Sequence, residues 1–250
     1  MIRYETKGGI GKIILDGSNH NPLNLDALVQ LGEALEASQE KKDQCVLLVG
    51  SGANFSVGAD LNYVQGLLDS DEEKGFANFS MAFQEVTRKM LAHSGIIVAG
   101  LHGWVIGGGF EITLSADLRY AEEGMKIRLP ELKIGTMFSN GSTKLLGQLI
   151  GMGRAKELMF TDQDLGAEKA YEIGLVNKVC PKGTLENHMQ AIAKTIVTQI
   201  DPKAQSMAKE LIQTNVDRSI KEVLDAEYKA LIELAKKKSF KQRIGQFRNN

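Results

Sequence analysis

The chain has 250 residues, 43% of them hydrophobic, and a formal net charge of −1 at pH 7. This balance gives no reason to expect nucleic acid or an anionic membrane surface as a partner. A chain of this length is able to bury a sizeable core, in one domain or in two.

The cysteines and the apolar runs bear on the compartment. The two cysteines, Cys45 and Cys180, lack the close spacing of a disulfide framework or a thiolate metal site. Residues 1–5 lack the apolar core of a signal peptide. No apolar run reaches the roughly 18–20 residues that a membrane helix needs. A cytoplasmic protein without a membrane segment is therefore expected.

Short apolar runs alternate with helical patterns in the first part of the chain. The runs at Ile10 to Leu15, Cys45 to Val49 and Ile96 to Ala99 have the length of β-strands. Between the first two runs, apolar residues recur at helical spacing: Leu28, Leu31 and Leu35. Residues 71–93 are predicted to be helical with one apolar face, formed by Phe76, Phe79, Phe83 and Val86. This alternation predicts an α/β core.

The last part of the chain has helical patterns alone. One predicted helix carries the apolar positions Leu185, Met189, Ile192, Ile196 and Ile200. Another carries Ile220, Val223, Leu224, Tyr228, Leu231 and Ile232. The change of pattern predicts two regions, an α/β core over residues 1–183 and a helical region over residues 184–250.

The run from Trp104 to Glu111 is the most informative stretch of the sequence. Three consecutive glycines, Gly107 to Gly109, separate a strand-like run from a helix-like run over Phe110 to Ala116. Glycine lets a backbone approach a ligand closely, and a helix N-terminus offers unpaired N–H groups. Such a turn can hold an oxyanion while Glu111 moves a proton beside it. A tight strand-to-helix turn without chemistry remains the alternative.

Two further loops have a related character. Residues 55–60 bring a Gly-Ala pair to a surface after a polar loop, and Asp60 follows that pair. Pro130 stiffens the approach to a second carboxylate, Glu131, whose alternative is an ordinary acid on a surface turn. Asp60, Asp117 and Arg154 are interpreted as capping or structural residues rather than as reactants.

Other chemistries lack their motifs. The sequence has no Gly-x-Ser-x-Gly elbow, no His-Glu-x-x-His helix and no Gly-x-x-x-x-Gly-Lys loop. The histidines are scattered along the chain: His20, His93, His102 and His188. No metal site is therefore predicted.

The motifs together resemble the crotonase (enoyl-CoA hydratase/isomerase) superfamily. The matching stretches, in the order and spacing of that family, are NPLNLDALVQLGEAL at 21–35, FSVGADL at 55–61, HGWVIGGGFEITLSAD at 102–117, LPELKIGT at 129–136 and GMGRAKELMFTDQDLGAEKAYEIGLVNKV at 151–179. The resemblance implies an α/β fold, a crotonase-like spiral of ββα units in residues 1–183. It also implies that residues 184–250 form a C-terminal helical trimerisation region, in a homotrimer or homohexamer.

The resemblance implies an enoyl-CoA hydratase, which adds water across the 2,3 double bond of a 2-enoyl-CoA. Glu111 and Glu131 match the family's two catalytic glutamates, and the N–H groups of Ala59 and Gly108 match its oxyanion hole. The remaining residues expected to contact substrate are Gly58, Asp60, Leu61, Gly107, Gly109 and Phe138. An acyl-CoA thioester is the expected partner, and no cofactor is expected because CoA is part of the substrate.

One segment departs from the family pattern. Where many relatives have Gly-Thr-x-Pro-Gly-x-Gly-Gly-Thr, residues 135–143 place Phe138 at the proline and Ser139 and Ser142 at glycines. Since this loop adjoins the acyl end in relatives, the departure leaves the preferred acyl group open. Three alternatives to hydration also remain: Δ3-Δ2 isomerisation, dehydration of an acyl-carrier-protein thioester, and a catalytically idle CoA-binding scaffold.

Overall fold

A computed structural model describes residues 1–18, 20–70 and 73–248. The strands within these residues are β1 (Ile2–Lys7), β2 (Ile10–Leu15), β3 (Cys45–Gly50), β4 (Ile96–Leu101), β5 (Trp104–Ile106), β6 (Leu118–Glu122), β7 (Lys126–Arg128), β8 (Leu165–Gly166) and β9 (Lys178–Cys180). The helices are α1 (Leu25–Lys41), α2 (Leu61–Asp69), α3 (Glu73–Ala92), α4 (Gly108–Thr113), α5 (Ser142–Ile150), α6 (Met152–Thr161), α7 (Ala167–Glu172), α8 (Leu185–Gln199), α9 (Pro202–Thr214), α10 (Ile220–Ala235) and α11 (Lys238–Arg248).

The strands form a large sheet and a small one. The large sheet has the order β1-β2-β3-β4-β6-β9, in which β1 pairs with β2 in antiparallel fashion and the other neighbours are parallel. Parallel sheets need both faces covered, which explains the continuous apolar run of β3. The small sheet has the order β5-β7-β8, with β5 parallel to β7. The predicted α/β class is confirmed.

Alternate residues of each central strand enter different hydrophobic clusters. In β3, Val46 and Leu48 pack in the main core, which also contains apolar residues of α1, while Cys45 and Leu47 pack in a second cluster. The second cluster includes buried residues of α8: Leu185, Met189 and Ala193. This division follows from the two-residue period of a strand. The domain boundary at residue 184 stays a prediction, and the helix that follows it packs directly on the sheet.

Several sequence predictions can be compared with these elements. The three apolar runs are strands, and the helical pattern around Leu31 belongs to α1, where Asn24 caps the N-terminus by accepting a hydrogen bond from the Ala27 N–H. Residues 71 and 72 of the predicted 71–93 helix lie outside the described residues. On the face predicted for α3, Phe79, Phe83 and Val86 are buried, whereas Phe76 is 36% exposed.

The helix after the three glycines differs from its predicted bounds. It begins at Gly108 and ends at Thr113, whereas the sequence pattern predicted Phe110 to Ala116. The next three residues form a tighter turn. In it, the N–H groups of Leu114, Ser115 and Ala116 donate to carbonyls three residues earlier. The buried guanidinium of Arg119 then donates to the carbonyls of Thr113 and Ala116 and ends the turn.

A buried ion pair attaches α9 to the large sheet beside the N-terminal ends of β4 and β6. The ammonium group of Lys209 is 2.8 Å from Asp117 Oδ2 and donates to the Gly95 carbonyl at 2.9 Å. Asp117 Oδ2 also accepts the N–H of Ile97, so Asp117 has a structural role. Removing either partner would leave a buried charge unpaired, which is strongly destabilising.

Candidate active site

The first turn of α4 positions Glu111. Its side chain is 2% exposed, and its Oε2 atom accepts three hydrogen bonds from one loop. The N–H groups of Ser139 and Asn140 lie at 3.0 and 3.2 Å, and the hydroxyl of Ser142 makes the third contact. Ser139 and Asn140 lie in the loop that leads into α5, and Ser142 is the first residue of that helix; all three are within the segment that departs from the family pattern. One carboxylate oxygen is therefore held from three directions.

Glu131 reaches the same turn from the neighbouring strand. Strands β5 and β7 run parallel with Ile106 opposite Arg128, so Gly107 and Glu131 follow the carboxyl ends of adjacent strands. A Cβ atom on Gly107 would lie 2.6 Å from Glu131 Oε1, and Gly107 has a φ of +50°. Only glycine satisfies both conditions without strain. The sequence placed the glutamates on separate turns. In the structure the Gly107 carbonyl accepts the N–H of Glu111 at 2.9 Å, and Gly107 also lies against Glu131 Oε1.

The second oxygen of Glu131 is buried without a partner. Its side chain is 6% exposed, and Oε2 has no hydrogen-bond partner among the described residues. A buried acceptor without a partner costs about 1–3 kcal/mol. Such an atom is free to bind a water molecule or a reacting group.

Burial and the charge of a neighbouring carboxylate shift the pKa values of these carboxyl groups. Burial first, and then the charge of nearby Glu111, raise the pKa of Glu131 to about 7. Burial also raises the pKa of Glu111, but the hydrogen bonds from Ser142, Asn140 and Ser139 oppose that rise. Near neutral pH the pair is thus able to hold one proton and one negative charge.

Glu131 is expected to make the protein less stable as the pH rises towards neutrality. Its pKa rises from 4.5 to about 7 in the fold, so the folded state keeps a proton that the unfolded chain releases. The stabilising contribution is complete below about pH 4.5 and is lost through about pH 7, with a size of about 3 kcal/mol. Urea unfolding across this range should show that slope in the wild type and less of it in Glu131→Gln. Equal slopes would contradict the assignment.

Two main-chain N–H groups lie beside the glutamates. Among the described residues, the N–H groups of Ala59 and Gly108 donate no hydrogen bond. Their loops touch, because a Cβ atom on Gly58 would lie 2.5 Å from the Ile106 carbonyl and 3.2 Å from the Gly108 nitrogen. The fold therefore keeps two unused donors close together, as an oxyanion hole requires.

Hydrogen bonds hold the loop of Ala59 against the small sheet. Ser56 pairs with Val105 of β5, and Ile106 donates to the Ser56 carbonyl at 2.9 Å. The side chain of Asn21, 2% exposed, donates to the carbonyls of Ser51, Asn54 and Phe55. Leu23 pairs with Ala59 from the other side. These contacts fix the backbone on both sides of the Ala59 N–H.

The remaining predicted substrate residues have varied positions. Asp60 caps α2 by accepting hydrogen bonds from the N–H groups of Asn62 and Tyr63, while Leu61 is 63% exposed. A Cβ atom on Gly109 would lie 2.8 Å from the Ser56 side chain, so this glycine serves close packing. Phe138 is 9% exposed and packs in the main core. Their contact with substrate stays a prediction.

Sequence reasoning missed several residues that build this site. Ser142 was noted only as a departure from the family pattern, and its contact with Glu111 was not predicted. Asn21 was part of a matching stretch without a role. Phe83 was assigned to an apolar helix face, yet its ring fills the space beside Gly108, where a Cβ atom would lie 2.8 Å from two ring carbons. None of these contacts leaves a periodic signal in the sequence.

Two kinds of feature are absent from the described residues. No three His, Cys, Asp or Glu side chains among them form a group that could hold a metal ion. In the same part of the chain, no helix has both the length and the apolar character needed to cross a membrane.

Comparison with known proteins places the chain in a family of enzymes. The profile of the enoyl-CoA hydratase/isomerase family matches residues 5–249. The chain therefore belongs to the enoyl-CoA hydratase/isomerase family, the crotonase superfamily. This confirms the family resemblance, the predicted crotonase-like fold and the prediction of an enzyme.

Individual relatives agree with this placement. The short-chain-enoyl-CoA hydratase of Clostridium acetobutylicum is 32% identical over 212 residues, which cover 84% of this chain and 79% of that protein. The crotonyl-CoA hydratase of Syntrophomonas wolfei is 31% identical over 211 residues, covering 82% and 80%. The crystal structure of an enoyl-CoA hydratase from Bacillus anthracis superposes with a TM-score of 0.93 at 28% identity, covering 99% and 96% of the two chains.

Proposed function

We propose that this protein is an enoyl-CoA hydratase that adds water across the 2,3 double bond of a 2-enoyl-CoA to give a 3-hydroxyacyl-CoA. The observation that carries the proposal is the pair Glu111 and Glu131, two buried carboxyl groups close enough for the charge of Glu111 to raise the pKa of Glu131. The names of the hydratase relatives support the same reaction.

The pair supplies both proton transfers of a hydration. Water forms its bond to C3 and gives a proton to one carboxylate, while C2 receives a proton from the other carboxyl group. A pair that holds one proton and one negative charge near neutral pH offers an acid and a base at the same time. Each such transfer contributes about 100- to 10,000-fold to the rate.

The two free N–H groups suit the charge that develops during addition. Attack at C3 moves electrons towards the thioester carbonyl, whose oxygen becomes enolate-like. Donors from Ala59 and Gly108 would stabilise that oxygen, and loss of one such donor costs about 3–4 kcal/mol of barrier. Because both donors are main-chain groups on loops held by Asn21 and Ser56, they are in place before the substrate arrives.

A direct assay tests this function. Purified protein mixed with crotonyl-CoA should consume the conjugated double bond, which is measured as a loss of ultraviolet absorbance. The product 3-hydroxybutyryl-CoA should accumulate. Binding of the substrate without any product would favour the idle scaffold. The same assay with an enoyl thioester on acyl carrier protein separates the carrier-protein dehydratase from the CoA enzyme.

Double-bond isomerisation is the second candidate function, and it is supported by the raised pKa and the unpartnered oxygen of Glu131. An isomerase needs one group to move a proton between carbons, and a carboxyl group with a pKa of about 7 and a free oxygen is suited to that task. A 3-enoyl-CoA substrate distinguishes the reactions, since an isomerase converts it to the 2-enoyl isomer. The hydratase proposal requires hydration of the 2-enoyl-CoA to be faster than isomerisation of the 3-enoyl-CoA.

The loop around Phe138 is expected to limit the length of the acyl group. Phe138 is bulkier than the proline of relatives, and the hydroxyls of Ser139 and Ser142 are directed to Asn140 and Glu111. A pocket that accepts long chains gains about 0.8 kcal/mol for each buried methylene. We expect kcat/KM to favour short or functionalised acyl groups when four- to sixteen-carbon enoyl-CoAs are compared. A rise beyond ten carbons, or an unchanged profile in Phe138→Ala, would contradict this expectation.

The C-terminal helices are expected to assemble the chain into a trimer or a hexamer. Helix α10 has no buried residue in the single chain, and its exposed apolar side chains are Ile220, Leu224, Tyr228, Leu231 and Ile232. Apolar surface of this extent favours contact with another subunit. Sedimentation equilibrium at micromolar concentration should give three or six times the mass of 27.3 kDa. A fully active monomer would contradict the prediction.

The proposed reaction needs no cofactor beyond the CoA of its substrate. Both cysteines are free and buried, which agrees with the proposed cytoplasmic location because thiols persist in reducing compartments.

A further inference from the structure

The segment from Ser139 to Ser142 donates hydrogen bonds to one glutamate of the pair but not to the other. Glu111 Oε2 contacts the N–H groups of Ser139 and Asn140 and the hydroxyl of Ser142, whereas Glu131 Oε2 has no partner among the described residues. A main-chain N–H can only donate, so these contacts stabilise the charged carboxylate of Glu111 more than its protonated form. The hydroxyl of Ser142 adds a third donor and is itself 1% exposed.

We propose that Ser142 is a positioning residue that holds Glu111 as the carboxylate of the pair and thereby leaves the shared proton on Glu131. Ser142 acts through Glu111 and needs no contact with the substrate. Relatives commonly have glycine at this position and lack the hydroxyl. The inference rests on the proposed hydratase function, in which Glu111 takes the proton of water and Glu131 gives its proton to C2.

Among the described residues, Ser142 is the one donor to Glu111 that a side-chain substitution can remove, because the other two donors are main-chain N–H groups. The main element contacts of α4 are with α3 and β5, and the α3 residue beside the start of α4 is Phe83, which carries no charge. Arg119 lies at the opposite end of α4, on the carbonyls of Thr113 and Ala116. Beyond Glu131 lies Asp162, whose charge raises the pKa of Glu131 and which is paired with Lys133.

Removal of the hydroxyl has a specific consequence for the pH profile. In the wild type the first ionisation of the pair belongs to Glu111 and the second to Glu131, and the singly ionised pair is the active form. Ser142→Ala removes a donor from the charged form of Glu111, so the first ionisation moves to higher pH while the second stays. A hydrogen bond to a charged group corresponds to about one to two pH units. The active range should narrow from its acidic side alone.

The experiment compares the wild type with Ser142→Ala, Ser142→Thr and Ser142→Cys. The pH dependence of kcat/KM for crotonyl-CoA reports the ionisations of the free enzyme. Carboxyl-carbon nuclear magnetic resonance of labelled glutamate, with Glu111 assigned through Glu111→Gln, reports the same ionisation without turnover. Failure of the hydratase function and failure of this inference are thereby distinguished. Ser115→Ala is the matched control, since the Ser115 hydroxyl is buried and has no partner among the described residues.

The inference predicts one pattern across these variants. In Ser142→Ala the acidic limb and the titration midpoint of Glu111 should rise together by about one pH unit or more, with the alkaline limb in place. Ser142→Cys, which has a weak S–H donor, should rise by a smaller amount. Ser142→Thr, which keeps the hydroxyl, and Ser115→Ala should retain the wild-type profile. If Ser142→Ala does not fold, an unshifted Ser142→Cys overturns the inference, as does equal loss of rate at every pH.

Discussion

Glu111→Gln and Glu131→Gln are each expected to lower the rate of hydration by at least about 100-fold. Either substitution keeps the shape of the side chain but removes one of the two proposed proton-transferring groups. The binding of thioester should remain largely intact, because the oxyanion donors and the fold are unchanged. Steady-state kinetics with crotonyl-CoA should therefore show a fall in kcat with little change in KM.

The control for this pair is Glu123→Gln, an exposed carboxylate on the turn between β6 and β7. That variant should keep the wild-type rate. Wild-type turnover in either Glu111→Gln or Glu131→Gln would refute the two-acid mechanism. If Glu131→Gln alone abolished activity, the isomerase alternative would gain, since one proton-moving group would then be sufficient.

Ala59→Pro is expected to abolish activity almost completely. Proline has no N–H group, so the substitution removes one of the two free donors, a loss of about 3–4 kcal/mol of barrier or about 100- to 1,000-fold in kcat. Gly58, which precedes this position, has no Cβ atom to clash with the proline ring. The measurement is kcat for crotonyl-CoA, together with circular dichroism to establish that the fold is kept.

Ala59→Gly is the matched control for the oxyanion donor. It removes the methyl group but retains the N–H, so its rate should stay within a few-fold of the wild type. Full activity in Ala59→Pro would locate the oxyanion hole elsewhere. Equal losses in both variants would assign the effect to the packing of the loop rather than to the N–H group.

The larger elements of the fold could be predicted from sequence, and the smallest could not. Strands β2, β3 and β4 are six-residue apolar runs, and their length and content distinguish them from loops. Strands β5, β7 and β9 have three residues each, too few to show a period. Their positions depend on pairing with strands distant in sequence, which no local pattern records.

The candidate site likewise has parts that the sequence predicted and parts that it did not. Glycine and proline mark backbone positions with special geometry, so the turns that hold Glu111 and Glu131 were recognisable before their contacts were known. The contact between Ser142 and Glu111 joins residues 31 positions apart. It exists because α4 meets the start of α5, and the hydroxyl alone gave no sign of its partner. The raised pKa of Glu131 depends mainly on burial, which is likewise a property of the whole fold.

Isotope incorporation tests the hydratase proposal most directly. The protein is incubated with crotonyl-CoA, once in water enriched in heavy oxygen and once in deuterium oxide, and the products are analysed by mass spectrometry at an early time. Addition of water predicts one heavy oxygen at C3 of the product and one deuterium at C2, with both labels lost in the double variant of Glu111→Gln and Glu131→Gln. A product that carries no heavy oxygen, or unchanged labelling in the double variant, would contradict hydration by the two glutamates.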